Sequence, residues 1–518
     1  MNTHPLSLYE IVLAIGKFIP LWESLHSAGR DLWVFKPKDL IAAISVNRHF
    51  HATLTPLLWS VYVEHAVKSP GEPNKNSSYI RFLDLSSYLP LIDLVVELNF
   101  SHLQELRLSD SVDCAWAKRI ILANPELRVL HWARIRKRLI WKELTDLECV
   151  LSLQRLRYLG LDAWWFLTPH LYNALANNAE HLEELRLTRC NSFVPKHSKQ
   201  DDTGTSQLRL VTSMERGVEE YESMKRMCGR ILLAKVKTLH LDVEHSFCPL
   251  TLYWMFDVVP ALETVVFEEL LGSTAKALSL TLRKSCPRLQ TIKLGHIWEV
   301  NSWRPHQHSD AALYLTSACA PGHLVHASLD GWCIDDTFME ALSVHRDSLE
   351  TMELAIRDDD YRDSFNNLGT ILERCSRLKH LTVYFHKYRK LHDHGQLLLF
   401  LDKLATCSDL ENLAFHGFTL ADDDNRLREN GDDYESDEGM LRVRIDQDKE
   451  FDDCEPEANI FYGPGWRELY LGYDANYRRG ECCDQFKRLV GDAIGSLSSL
   501  ERVVFGFVSY VKVLSSSS

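Results

Sequence analysis

The 518-residue sequence carries none of the short signatures of the common enzyme classes. It has no G-x-x-x-x-G-K-[ST] loop to cradle nucleotide phosphates, no G-x-S-x-G elbow to present a serine, and no H-E-x-x-H helix to hold zinc. Gly463-Pro464-Gly465 is a turn ahead of a strand, not a phosphate loop. The nearest approaches to metal pairs are His306 with His308, His323 with His326, and His392 with His394. None has a Cys or carboxylate partner at ligand spacing, and a metal site needs several ligands converging. No catalytic residue, metal or cofactor is assigned, and a cryptic hydrolase has no supporting constellation.

Long apolar runs are missing too. Ile11–Gly16 and Leu397–Leu401 are the best candidates, far short of the roughly 18–20 residues a membrane span needs. The N-terminal stretch has no basic region followed by an apolar one, because Glu10 and Lys17 interrupt it, so no secretory signal is read. The 13 cysteines are scattered, with no Cys-x-x-Cys pair, and Cys482–Cys483 are merely adjacent. The expectation is reduced thiols inside a core, in the cytoplasm or nucleus, with no membrane partner.

An excess of positive charge is absent as well. The net charge is −14, and it is local: residues 421–458 hold 16 acidic and 5 basic side chains, which leaves the rest near −3. Nucleic-acid binding rests on clustered Lys and Arg at phosphates, so no nucleic-acid partner is expected. Blocks such as Asp422–Asp424 and Asp432-Asp433 read as a solvated insert.

What the sequence has in quantity is one repeated pattern, apolar-x-x-apolar-x-apolar. It appears as Leu103-x-x-Leu106-x-Leu108, Leu127–Trp132, Leu156–Leu161 and Leu182–Leu187. It returns as Val236–Leu241, Leu262–Phe267, Leu289–Leu294, Leu324–Leu329, Leu349–Leu354, Leu378–Val383, Leu410–Phe415, Trp466–Leu471 and Leu500–Phe505. The starts lie 24 to 35 residues apart, except for two gaps of 54 and 56. The short spacings fit a leucine-rich repeat of roughly 20–29 residues. The doubled gaps predict degenerate units, with Leu208–Val211 and Leu441–Ile445 as their strands and Phe82–Leu85 as an earlier weak one.

Helical patterns fill the spaces. Thr168-Pro169 offers an N-cap and a proline at the first helical position, followed by Leu171 and Leu175 on one face. Trp116, Ile120 and Ala123 form another stripe before Asn124-Pro125. Several helices end in a short turn such as Ser285-Cys286-Pro287, Cys375-Ser376 or Cys407-Ser408. One unit cannot bury its apolar face alone, so the units must stack. The chain resembles the leucine-rich-repeat family over residues 80–510, with polar inserts at 189–206 and 421–458 and a tail at 511–518. The expected fold class is α/β: a small three-helix module, then a curved solenoid with parallel strands concave and helices convex.

Residues 5–62 lack the repeat, and 63–79 read as a linker. Ile11, Ile15, Phe18 and Ile19 form one helical stripe, and Leu40, Ile44, Val46 and Phe50 a second, less regular one. Thr55-Pro56 predicts the start of a short third helix. By this reading alone the segment is a helical cap on the first repeat. The order Leu8-Tyr9-Glu10-Ile11, Lys38-Asp39-Leu40, Val46-Asn47-Arg48-His49-Phe50 and Leu57-Leu58-Trp59 resembles an F-box, and Phe35 to Trp59 looks like the F-box of large fungal families. Tyr9 stands for the usual Pro, Asn47 for the usual Cys and Phe50 for the usual Trp, and residues 20–36 are an insert carrying Trp22 and Trp33.

The resemblance implies a non-catalytic substrate receptor that docks a Skp-type adaptor, and through it a cullin, in a ubiquitin ligase. The implied adaptor contacts are Leu8, Ile11, Leu40, Val46, Leu57 and Trp59. The alternative is a leucine-rich-repeat scaffold or inhibitor whose helices only cap the repeats.

In the strand motif the residue between the last two apolar positions points away from the core. That column reads Arg107, His131, Gly160, Arg186, His240, Val266, Lys293, Ser328, Glu353, Thr382, Ala414, Tyr470 and Val504. Arg107, His131, Arg186, His240 and Lys293 are the candidate substrate contacts. Their partner would be an acidic or phosphorylated protein segment, since the guanidinium fork matches such oxyanions. The competing reading is ordinary solvated charge on an open sheet face.

Overall fold

The computed structural model describes residues 9–27, 30–63, 76–86, 100–109, 112–134, 148–193, 231–242, 249–268, 270, 272–294, 309–331, 336–356, 361–391, 400, 403–404, 406–420, 466–470, 499–505 and 508–512. They divide into two compact units, Met1–Leu270 with Leu280–Leu289, and Leu271–Ser279 with Gln290–Ser518. The predicted strands at Leu208–Val211 and Leu441–Ile445 and the acidic insert 421–458 lie outside the described residues.

The first unit opens with helices α1 (Tyr9–Phe18), α2 (Lys38–Ile44) and α3 (Arg48–Leu58). Their shared core is Val12, Leu40, Ile44 and Leu54. Gly16 lets α1 and α3 approach closely: a Cβ there would lie 2.4 Å from Leu54 Cδ2 and 2.8 Å from Leu57 Cδ1. The buried face of α1 is therefore Val12 and Gly16, one step round from the expected stripe. The third helix begins earlier than expected. Asn47 caps it by accepting from Phe50 N at 2.9 Å, and an Asn cap outcompetes a start at Thr55 because it satisfies an otherwise orphaned donor. Thr55 instead donates its hydroxyl to His51 O at 2.6 Å, and Pro56 sits inside the helix near its end.

The insert forms an antiparallel hairpin, β1 (Trp22–Ser27) with β2 (Arg30–Phe35). Val61–Val63 forms β3 and pairs in parallel with β4 (Phe82–Leu85), and residues 64–75 of the expected linker lie outside the described residues. A parallel ladder then runs through β5 (Glu105–Leu108), β6 (Val129–Ala133), β7 (Tyr158–Asp162), β9 (Glu184–Thr188), β11 (Thr238–Leu241) and β12 (Thr264–Phe267). Two short strands, β8 (Trp165–Leu167) and β10 (Asn191–Phe193), pair separately, so the predicted polar insert at 189–206 starts with ordered structure. Helices α4 (Cys114–Ala123), α5 (Glu148–Leu151), α6 (Thr168–Asn177) and α7 (Pro249–Val258) lie between strands in sequence, and α8 (Gly272–Ser285) follows β12.

The motif leucines form the core. Leu103, Leu106, Leu108, Leu127, Leu130, Leu156, Leu161, Leu182 and Leu187 are fully buried, each contributing about 2 kcal/mol by area. On α4, Trp116, Ala117, Ile120 and Ile121 face inward, whereas Ala123 is exposed. The turns before the strands carry a buried polar column. Asn124 accepts from Leu103 N at 2.7 Å and donates to Phe100 O and Ile120 O, each at 2.8 Å. Asn178 repeats this with Leu156 N, Leu153 O and Ala174 O. Each amide ties a helix end to neighbouring backbone, where unpaired groups would otherwise be costly.

In the second unit a parallel ladder joins β13 (Thr291–Leu294), β14 (His326–Gly331), β15 (Thr351–Ile356), β16 (His380–Leu391), β17 (Asn412–Leu420) and β19 (Arg502–Phe505). Helices α9 (Ser309–Thr316), α10 (Asp336–Ser343) and α11 (Tyr361–Arg374) alternate with them in sequence. In the turns, the Cys407 thiol reaches Cys375 O at 3.8 Å and Leu378 O at 3.4 Å, and His345 Nε2 lies 3.0 Å from Thr316 O. The motif Trp466–Leu471 departs from expectation. It supplies β18 (Trp466–Tyr470), which runs antiparallel to β20 (Val508–Lys512), itself antiparallel to β19. Tyr470 is therefore not a member of the central column. The helix–strand units and parallel ladders give an α/β fold that fits leucine-rich repeats.

Candidate functional site

The outward column of the first unit is in register to the residue. Asp84, Arg107, His131, Gly160, Arg186, His240 and Val266 are successive Cα partners from β4 to β12. The motif leucines fix this parity, because strand side chains alternate and the leucines are committed to the core. In the second unit Lys293, Ser328, Glu353, Thr382, Ala414 and Val504 align the same way, and Lys293 is exposed.

Charge on the first face is more internally matched than the column alone implies. Arg186 Nη2 pairs with Glu268 Oε1 at 3.4 Å. His240 Nε2 lies 2.9 Å from the same oxygen, at ion-pair distance but outside hydrogen-bond geometry. Glu268 sits just past β12, outside the motif. Arg189 forks onto Asp162: its Nε donates to Oδ1 at 2.8 Å and Nη2 pairs with Oδ2. Thr188 donates to the same Asp162 oxygen at 2.9 Å, and Arg189 N donates to Asp242 Oδ2 at 3.1 Å.

Arg107 differs. It is exposed, and among the described residues no carboxylate forms an ion pair with it. Its guanidinium carbon stands 5.2 Å over the Phe82 ring, an arrangement worth about 0.5–1 kcal/mol at an exposed site. The neighbouring Asp84 carboxylate accepts from Ser86 N at 2.9 Å. Trp22, from the hairpin, meets Phe82 edge-on at 5.4 Å and Phe35 at the same distance.

Beside Arg107 the face is aromatic. His131 and Tyr158 meet edge to face at 6.4 Å. Gly160 makes room for them: a Cβ there would fall 2.6 Å from His131 Cδ2 and 2.7 Å from the Tyr158 hydroxyl. Burial first, then the Arg186 charge, pushes His131 down to about 4, so its ring is neutral at neutral pH. Burial raises Tyr158, which keeps the phenol protonated. Burial also raises Glu184, opposed by Arg186 and His240.

The sequence-predicted adaptor residues fall in three classes. Leu40 is buried in the helical core and cannot be a surface anchor. Ile11, Leu57 and Trp59 are half-buried, and Leu8 lies outside the described residues. Val46 is 65% exposed. Tyr9, Ile15, Phe18 and Ile41 are further exposed apolar side chains of the module, Phe18 at 88%. Their signal was an apolar stripe that the core leaves unused.

Among the described residues, no group of three or more His, Cys, Asp or Glu is placed to hold a metal ion. No helix among them is long and apolar enough to cross a membrane. No family model matches the sequence, and no curated protein matches it. Among solved structures, the crystal structure of the TLR13–ssRNA13 complex aligns with 64% of this chain and 61% of its own, at 12% identity and a TM-score of 0.20. The chain thus spans under two thirds of that solved chain. The repeat architecture rests on the parallel ladders of the two units.

Proposed function

We propose that this protein is the substrate-recognition subunit of a Skp–cullin–F-box ubiquitin ligase. Its helical module docks the Skp-type adaptor, and the outward strand face holds the target protein. The chain does no chemistry itself; it raises the target's effective concentration near the ubiquitin-charged enzyme. One observation supports this most. The three-helix module buries Val12, Leu40, Ile44 and Leu54 yet leaves Tyr9, Ile15, Phe18, Ile41 and Val46 in water. These exposed side chains are available to a partner, and helix-borne apolar anchors suit a grooved one.

The alternative, a scaffold or inhibitor with a helical cap, draws on a different observation. Trp22 packs against Phe82 of the first repeats, as a capping element would. Binding of the full-length chain to purified Skp-type adaptor separates the two. The receptor reading expects a dissociation constant of roughly micromolar or tighter, abolished by Phe18→Asp with Val46→Asp while circular dichroism stays unchanged. Absence of binding by the folded wild-type chain leaves the scaffold reading.

A further inference from the structure

The insert that departs from the F-box pattern reaches the target-binding face. Trp22 of the hairpin, Phe82 of β4 and Arg107 of β5 form one continuous contact, with Trp22 edge-on to Phe82 at 5.4 Å and the Arg107 guanidinium over the same ring at 5.2 Å. Farther along the column Arg186 is already occupied by Glu268.

We propose that Trp22, Phe82 and Arg107 form the specificity pocket of the face, and that its occupant is an oxyanion, carboxylate or phosphate, borne on a protein segment beside an apolar side chain. The proposal rests on the strand face being the target-binding surface and is independent of the adaptor. The Arg107 guanidinium selects the oxyanion: its cross-strand neighbour Asp84 is buried and turned to Ser86 N, and Glu105, beside Phe82, is the negative charge a ligand must avoid. The contact with the Phe82 ring uses none of the guanidinium N–H donors, so the fork remains available for a bidentate pair. The half-buried rings of Trp22, Phe35 and Phe82 supply an apolar wall for the neighbouring side chain. Arg186 contributes less than Arg107, because a ligand there must displace Glu268.

The test uses the full-length chain and fluorescein-labelled degenerate peptides in which Leu, Phe and Ala flank a central Glu, phosphoserine, Ser or Lys. Fluorescence anisotropy is expected to show about tenfold tighter binding of an oxyanion peptide than of the Ser peptide, the size of one charge-assisted hydrogen bond. Preference for phosphoserine alone identifies a phosphate source, for Glu alone a carboxylate source, and for both a pocket for either. Arg107→Ala removes the preference, Arg107→Lys restores part of it, and Arg186→Ala leaves most of it. Trp22→Ala weakens oxyanion-peptide binding several-fold, and Trp22→Phe recovers it. Equal binding of all four peptides overturns the proposal, as does a preference that survives Arg107→Ala. Trp22→Ala without effect removes the hairpin from the pocket and overturns it in that form. Adaptor binding is read separately, so failure of either reading leaves the other standing.

Discussion

Arg186 and Glu268 are joined by an ion pair of 3.4 Å although 82 residues separate them, and His240 on the intervening strand shares the same carboxylate oxygen. The pair converts the most central arginine of the face from a free ligand-binding group into an internally balanced one. Glu268→Gln should therefore do two things. Stability should fall by about 1 kcal/mol in urea denaturation, a modest loss because the Arg186 side chain remains 39% exposed and water partly replaces its partner. Affinity for a Glu-centred peptide should rise by a few-fold as Arg186 is released. A variant with unchanged urea midpoint and unchanged affinity would show that the pair does neither.

Acid stability offers a second test. The unfolded His131 ring takes a proton near its usual 6.5, whereas the folded one resists until about 4. Between those values the unfolded chain binds more protons, so stability falls as pH drops from 6.5 to 4 and is whole above 6.5. The loss attributable to this ring is up to about 3 kcal/mol. His416, likewise pushed down to about 4 by burial and then Arg502, adds a similar slope in the second unit. Urea midpoints across that window should flatten in His131→Gln. An unaltered slope in that variant would count against the assignment.

The asparagine column carries a larger share of stability. Asn124→Ala strips a partner from Leu103 N, Phe100 O and Ile120 O at once, all inside the core. Unsatisfied buried backbone groups make this loss about 2–4 kcal/mol. Asn124→Asp should also destabilise, because a carboxylate cannot donate to the two carbonyls. Thermal or urea unfolding decides the matter, and a cost under about 0.5 kcal/mol, typical of surface positions, would refute it.

Thiol chemistry gives a fourth prediction. Burial pushes Cys286, Cys319 and Cys375 up to about 12 and Cys407 up to about 11. The thiolate is the reactive form, so these four should resist iodoacetamide in the native chain at pH 8 and react on unfolding. Cys114, only partly buried, should label first among the cysteines described. Native labelling of Cys375 or Cys407 by mass spectrometry at the rate of Cys114 would contradict this.

The leucines made much of this legible in advance. Once Leu106 and Leu108 are committed to the core, the parity of Arg107 follows, and the same step placed His131, Gly160, Arg186 and His240 in one row. Charge pairing was not legible, because Glu268 lies outside the repeat motif and its proximity to Arg186 depends on three strands being in register. Leucine spacing also could not give the neighbour of Trp466–Tyr470: two antiparallel steps leave it running in the ladder's own direction, but it pairs with β20 and not with β17. The hairpin was not legible because no Asn-Gly or Asp-Gly pair, the strongest short hairpin signal, lies in residues 20–36. At the third helix Thr55-Pro56 was the expected start, and only the completed bond from Phe50 N to the Asn47 side chain shows that the helix begins earlier.

Between α3 and β3 the chain has only Trp59 and Ser60, and Ser60 O accepts from both Arg81 N and Phe82 N, at 2.9 and 3.0 Å. A spacer so brief and so firmly bonded leaves no swivel. Torque applied to the helices is delivered to the first strands instead of being absorbed by slack chain. A partner gripping the helices and a ligand seated beside Phe82 would thus share one rigid frame. Which of the ligand's side chains face outward would then be decided by the pose in which it is held, not by a tether sweeping through space.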